Sequence, residues 1–145
     1  MKSTLLLLFV AVFFSLNSNA DPRKNGDKKD KTTLNILTKK EKAQGWILLF
    51  DGKTTEGWRG NNQTIFPKGW IIEDGTLKCQ ASGRGEAGAT NGGDIIYAKQ
   101  KFSNFDLKIE WKISEGGNSG IFYLGREVEG WPLYKTAPEM QVLDN

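Results

Sequence analysis

Hydrophobic positions divide this chain at Gly45. Before it, "TKKEKAQG" places Thr38 three residues ahead of Glu41 and ends on Gly45. That is the reciprocal capping box of a short helix, closed by a residue suited to a left-handed conformation. After it the period changes from 3.6 to 2. "WILLF" (46–50) is a continuous apolar run bounded by "DGK", the pattern of a buried strand. "GWIIEDGTLKC" predicts a hairpin turning at Asp74-Gly75, a dipeptide that accepts positive φ. "GDIIYAK" predicts a further short strand. In "FDLKIEWKI", Phe105, Leu107, Ile109, Trp111 and Ile113 alternate with polar residues, so one face enters a core and the other stays polar. "SEGGNSG" makes a turn into the strand "IFYL", and "PEMQVLD" supplies another, with Pro138 where a strand can begin.

Short strands joined by glycine turns, with no amphipathic helix between them, predict an all-β fold. The expectation is an antiparallel sandwich or jelly roll carrying a short N-terminal helix. The 17 glycines, 4 prolines, 5 tryptophans and 8 phenylalanines suit that class.

The first twenty residues have a different character. "MKSTLLLLFVAVFFSLNSNA" has a basic Lys2, an apolar run from Leu5 to Leu16 and small residues at Ser18 and Ala20. This is the order of a secretory leader cleaved after Ala20. The run falls short of the about 20 apolar residues a membrane-spanning helix needs. We therefore expect a protein exported to the periplasm or secreted, with no stable membrane anchor and with residues 1–20 outside the fold. Residues 21–35 read as a charged, disordered linker, and 36–145 as the domain. Lys2 adds +1, residues 21–44 carry a balance of +4 and those from Gly45 onward −2, so the basic character behind the net +3 lies ahead of Gly45. A basic tether on a mildly acidic body does not call for a nucleic-acid partner. Cys79 is the single cysteine, which excludes an internal disulfide.

The chain has no histidine, which removes Ser-His-Asp and Cys-His chemistry and histidine-bearing metal sites from these residues. "GRGEAG" (83–88) satisfies G-x-G-x-x-G, but "ATNGGD" follows and cannot open the helix a dinucleotide site requires. "NQT" at Asn62 matches a glycosylation acceptor, a pattern frequent by chance. Carboxylates, amides, arginine and aromatics remain, the groups that recognise and cleave carbohydrates. In "PEMQVLDN" a regular strand puts Glu139 and Gln141 on one face, with Asp144 and Asn145 following. Glu110 becomes a neighbour if the two strands pair. Such a set can act as base and acid on a sugar, hold a cation, or simply form the wet face of an edge strand. Asn118, at a strand mouth, could bind hydroxyls. Trp58, Trp131 and Tyr134 are candidates for stacking on sugar rings, or for covering the core.

These residues resemble the 3-keto-disaccharide hydrolase domain family, which has a concanavalin-A-like jelly roll. The resemblance runs through "LTKKEKAQGWILLFDGKTTEGWRG", "GDIIYAKQKFSNFDLKIEWKISEGGNSGIFYLG" and "APEMQVLDN". Many members carry an arginine where this chain has Leu124, with Arg126 two positions on. Members continue past "LDN" through a histidine-containing stretch, so the chain reads as the N-terminal part of a domain whose site is completed further on. The implied substrate is an oligosaccharide or glycoside already oxidised to a ketone at the third sugar carbon. The roles expected are acid–base work or metal ligation for Glu139 and Asp144, and sugar contacts for Gln141, Asn145, Asn118, Glu110, Arg126 and Trp131. A divalent cation or hydrogen-bond donors would stabilise the enolate; no cofactor is specified. A lectin-like binding module and a conventional two-carboxylate glycosidase are the competing expectations.

Overall fold

The computed structural model describes residues 4–7, 34–80 and 93–144. Residues 8–20, the glycine-rich stretch 83–88, most of the charged tether and Asn145 lie outside the described residues. The fold is the all-β class that the patterning predicts. Nine strands are present among the described residues: β1 (Thr4–Leu7), β2 (Ile47–Leu48), β3 (Trp58–Gly60), β4 (Trp70–Glu73), β5 (Thr76–Cys79), β6 (Ile95–Tyr97), β7 (Phe105–Lys108), β8 (Asn118–Phe122) and β9 (Glu139–Leu143). The pairs β3–β6, β4–β5 and β8–β9 are antiparallel. A 3₁₀ turn, Leu133–Lys135, lies between β8 and β9.

Local signals are realised closely. The helix α1 (Lys39–Ala43) starts at Thr38, whose hydroxyl accepts from Glu41 N at 3.2 Å while the Glu41 carboxylate accepts from Thr38 N at 2.8 Å. Gly45 follows at φ +84°. Asp74 and Gly75 both take positive φ, +49° and +75°, and hold β4 against β5 in the register Glu73↔Thr76.

Phe50 (2% exposed), Leu77 (0%) and Leu49 form the core, and Trp58, Trp70, Ile72 and Leu107 pack around it. Trp58 therefore serves packing rather than sugar stacking. Its Nε1 donates to Leu49 O at 2.7 Å, and its ring meets Tyr97 edge-on at 5.5 Å between centroids. Such a contact adds about 0.5–1.5 kcal/mol to the burial itself. Cys79 is buried beside this core, and desolvation pushes its thiol up to about 11, which leaves it protonated at neutral pH.

Three features depart from the expectation. The backbone of Thr4–Leu7 lies between β2 and β7 and is parallel to both, so these four residues, expected from the sequence to lie outside the fold, stand inside a sheet, and that sheet is not antiparallel. The physical reason is hydrogen bonding: β2 and β7 each present a row of backbone groups that a strand between them satisfies. Secondly, β7 spans Phe105–Lys108, shorter than the nine-residue alternation that runs to Ile113, and its register with β1 goes from Thr4↔Phe105 to Leu7↔Lys108. Thirdly, Asn35 is buried (5% exposed) although the tether was expected to run through it. Its backbone turns at φ +56°, and its Nδ2 donates to Gly75 O at 2.7 Å, fastening the start of the domain to the β4–β5 turn. Among the described residues no helix is long and apolar enough to cross a membrane.

Candidate functional site

The candidate residues gather on the β8–β9 ribbon. Its register pairs Asn118↔Leu143, Gly120↔Gln141 and Phe122↔Glu139. Strand alternation then puts Asn118, Gln141 and Glu139 on one face, with Ile121, Met140 and Val142 on the other. Val142 is buried at 4%, while Gln141 and Asn118 are exposed and Glu139 is half-buried. The Glu139 side chain lies diagonally across the ribbon over Gly120. A β-carbon built on Gly120 would stand 1.7 Å from Glu139 Oε1 and 2.5 Å from Glu139 Cδ.

Asp144 sits at the far end of the ribbon and is engaged there. Its Oδ2 accepts from Gly116 N at 2.8 Å, and its own N donates to Gly117 O at 3.3 Å. The turn into Asn118 is therefore pinned by the residue that follows β9. Gly116, at φ +65°, is in a conformation that a glycine adopts without strain. The two carboxylates predicted to work together thus have different surroundings: one over a glycine, one tied to a turn.

No strand pairing among the described residues brings Glu110 to Glu139. Among the described residues β7 hydrogen-bonds to β1, and β8–β9 forms a separate sheet. What β7 shares with the ribbon is apolar. Phe105, Leu107, Ile109, Ile121, Tyr123 and Met140 line a hollow of 610 Å³, on the side of the ribbon opposite Glu139 and Gln141.

Trp131 and Arg126 lie in the connection between β8 and β9, and both are exposed. That connection is latched to the other half of the molecule by Arg59, Asn61 and Asn62, of which the sequence marked only Asn62, and for glycosylation. Arg59 grips Glu127 with both guanidinium nitrogens at 2.6 Å, and Asn62 N donates to the same carboxylate at 2.8 Å. The Arg59 hydrogen bond is the main cause holding the Glu127 carboxyl below its usual range. Asn61 Nδ2 and Asn62 Nδ2 each donate to Trp131 O at 3.1 Å, fixing the backbone beneath an indole that is 49% exposed. Asn62, matched to a glycosylation pattern in the sequence, spends its amide here. No pattern in the sequence announces a pairing across 68 positions. A lone arginine beside an asparagine pair was the only local hint.

No group of three or more His, Cys, Asp or Glu side chains gathers among the described residues to hold a metal ion. The arrangement offers one half-buried carboxylate, two amides on its face and an exposed aromatic ring nearby in sequence. Such a set can remove a proton, donate hydrogen bonds to oxygen, and cover a sugar ring.

Residues 45–145 match the 3-keto-alpha-glucoside-1,2-lyase-like domain family. Over 112 residues the chain is 53% identical to a 3-keto-disaccharide hydrolase of Bacteroides thetaiotaomicron. That alignment takes in 71% of this chain and 38% of the relative's length.

Proposed function

The chain belongs to the 3-keto-alpha-glucoside-1,2-lyase-like domain family, and from that membership we propose that it contributes the Glu139 side of a site cleaving glycosides oxidised at the third sugar carbon. The observation that carries the reading is the Glu139 carboxylate on one ribbon face with Gln141 and Asn118. The relative's printed activity, on a 3-keto-disaccharide, supports the substrate class.

The chemistry follows from the ketone. It acidifies the proton on the neighbouring second carbon, and Glu139 takes that proton as the carbon's electron pair moves toward the ketone oxygen. Gln141 and Asn118 donate hydrogen bonds to the enolate oxygen as its charge grows. The enolate then collapses to a double bond between the first and second carbons. The bond from the first carbon to the glycosidic oxygen breaks, and that oxygen leaves with the electron pair and takes a proton from Asp144, which regains one from the water that adds next. Water adds across the double bond: hydroxyl goes to the first carbon, and the proton held by Glu139 returns to the second. The sum is hydrolysis. Asp144 takes the second acid–base place, and its bond to Gly116 N gives it the further task of fixing the turn from which Asn118 departs. Trp131 and Arg126 line the approach. In this reading the protein works outside the cytoplasm after leader cleavage at Ala20, a step that takes Thr4–Leu7 away and leaves the facing edges of β2 and β7 open.

The test uses the full-length protein and 4-nitrophenyl 3-keto-α-glucoside, with release of nitrophenol as the signal. Glu139→Gln should lower kcat by about 10²-fold or more, the scale of general acid–base catalysis. Turnover unchanged in that variant would remove Glu139 from the reaction. Wild-type protein that binds the glycoside without cleaving it would favour the lectin-like reading. Cleavage of unoxidised disaccharides would favour the two-carboxylate glycosidase.

A further inference from the structure

We infer that Gly120 is a positioning residue for the Glu139 carboxylate: its missing side chain is the seat in which that carboxylate rests. This inference rests on the reading of Glu139 as the base. Glycine inside a strand costs stability, because it gives up more backbone freedom than other residues and packs nothing. Gly120 nonetheless occupies the middle of β8, in regular register opposite Gln141, at a position where no turn needs it. Its φ is not among the positive values found in this chain, so the backbone does not demand glycine either. What demands it is space.

The three atoms nearest to a β-carbon at this position all belong to Glu139: Oε1 at 1.7 Å, Cδ at 2.5 Å and Cγ at 2.6 Å. Other crowded glycines in this chain behave differently. At Gly60 the obstacle is the end of Gln63, a side chain with no proposed part in the chemistry, and at Gly117 it is Ile113 and a backbone oxygen. At Gly120 the obstacle is the proposed base itself, and the hydrogen on the glycine Cα faces its oxygen. Any side chain would drive the carboxylate sideways by more than an ångström, away from Gln141 and Asn118. Misplacement on that scale costs about 10² in rate when the displaced group performs the chemistry.

The experiment is a double-mutant cycle in the full-length protein, combining Gly120→Ala with Glu139→Gln and reading kcat and KM on 4-nitrophenyl 3-keto-α-glucoside. Gly120→Ala should lower kcat by about 10²-fold while KM stays within about threefold, since it moves the base and not the sugar contacts. Added to Glu139→Gln, it should cost almost nothing more, because no reacting carboxylate is left to displace. Wild-type kcat in Gly120→Ala, or an equal loss in both backgrounds, would overturn the inference. A direct measurement covers the case in which the alanine variant misfolds. In wild-type protein, nuclear Overhauser contacts should link the Gly120 α-protons to the Glu139 γ-protons, and their absence would also overturn it. Failure of the wild type to cleave the probe would refute the proposed function. The Overhauser contact would still decide the position of Glu139.

Discussion

The part of the molecule built from β2 to β7 and the ribbon β8–β9 use their side chains in opposite ways. The first puts Leu49, Phe50 and Leu77 out of reach of water and surrounds them with half-buried aromatics. The ribbon buries Val142 and leaves Met140 and Leu143 each 46% exposed, with Glu139, Gln141 and Asn118 on its polar face. One region is organised around what it excludes, the other around what it presents. Stability and chemistry should therefore respond to different substitutions, and that separation can be attacked.

The largest expected effect is on the core. Leu77→Ala removes a side chain that is 0% exposed and should cost about 2–5 kcal/mol, read as a lower urea midpoint. A loss under about 1 kcal/mol would mean that the core does not hold the fold. Next comes its mirror image: Glu139→Gln should abolish most turnover while moving stability by no more than about 0.5 kcal/mol, as for a surface substitution. A large drop in melting temperature in that variant would erase the distinction between the regions. Thr38→Ala removes one half of the capping box and should cost about 1 kcal/mol without touching turnover.

The smallest effect concerns the latch between the two regions. Glu127 has its carboxyl lowered below 4.5 chiefly by the hydrogen bond from Arg59. A depressed folded-state value stabilises the protein above the unfolded value, and the contribution is lost as pH falls from about 4.5 through the folded value. Arg59→Ala should thus be less stable than wild type at pH 7, by under about 1 kcal/mol for so exposed a pair, and the gap should close at pH 3. Urea midpoints at the two pH values decide it; a gap that persists in acid would assign the effect to packing.

Elements specified by neighbouring residues were legible in advance. The Thr38–Glu41 box, the Asp74-Gly75 turn and the start of β9 after Pro138 each need only a few consecutive residues to be recognised. The strand face carrying Glu139 and Gln141 was legible for the same reason, since a period of two fixes it. Features that depend on distant partners were not. The alternation from Phe105 to Ile113 predicted a long strand, yet β7 comprises only Phe105–Lys108, a bound that side-chain alternation does not carry. Asn35 looks like tether until Gly75 O is known to lie beside its amide. Arg59 and Glu127 meet across loops, where no periodicity operates. Gly120 was read as a turn-former beside Gly116 and Gly117. Its role depends on a diagonal contact with a strand that begins nineteen residues later.

Cys79 has a practical consequence. One thiol per molecule, 1% exposed and carrying a proton that leaves only near pH 11, is silent toward alkylating reagents while β5 is in place. Each labelling event therefore records a moment when that strand opened, and its rate against reagent concentration gives the opening frequency of the sheet without any added probe. The chain carries its own clock for breathing motions, set in the region farthest in character from the ribbon where the sugar is proposed to bind.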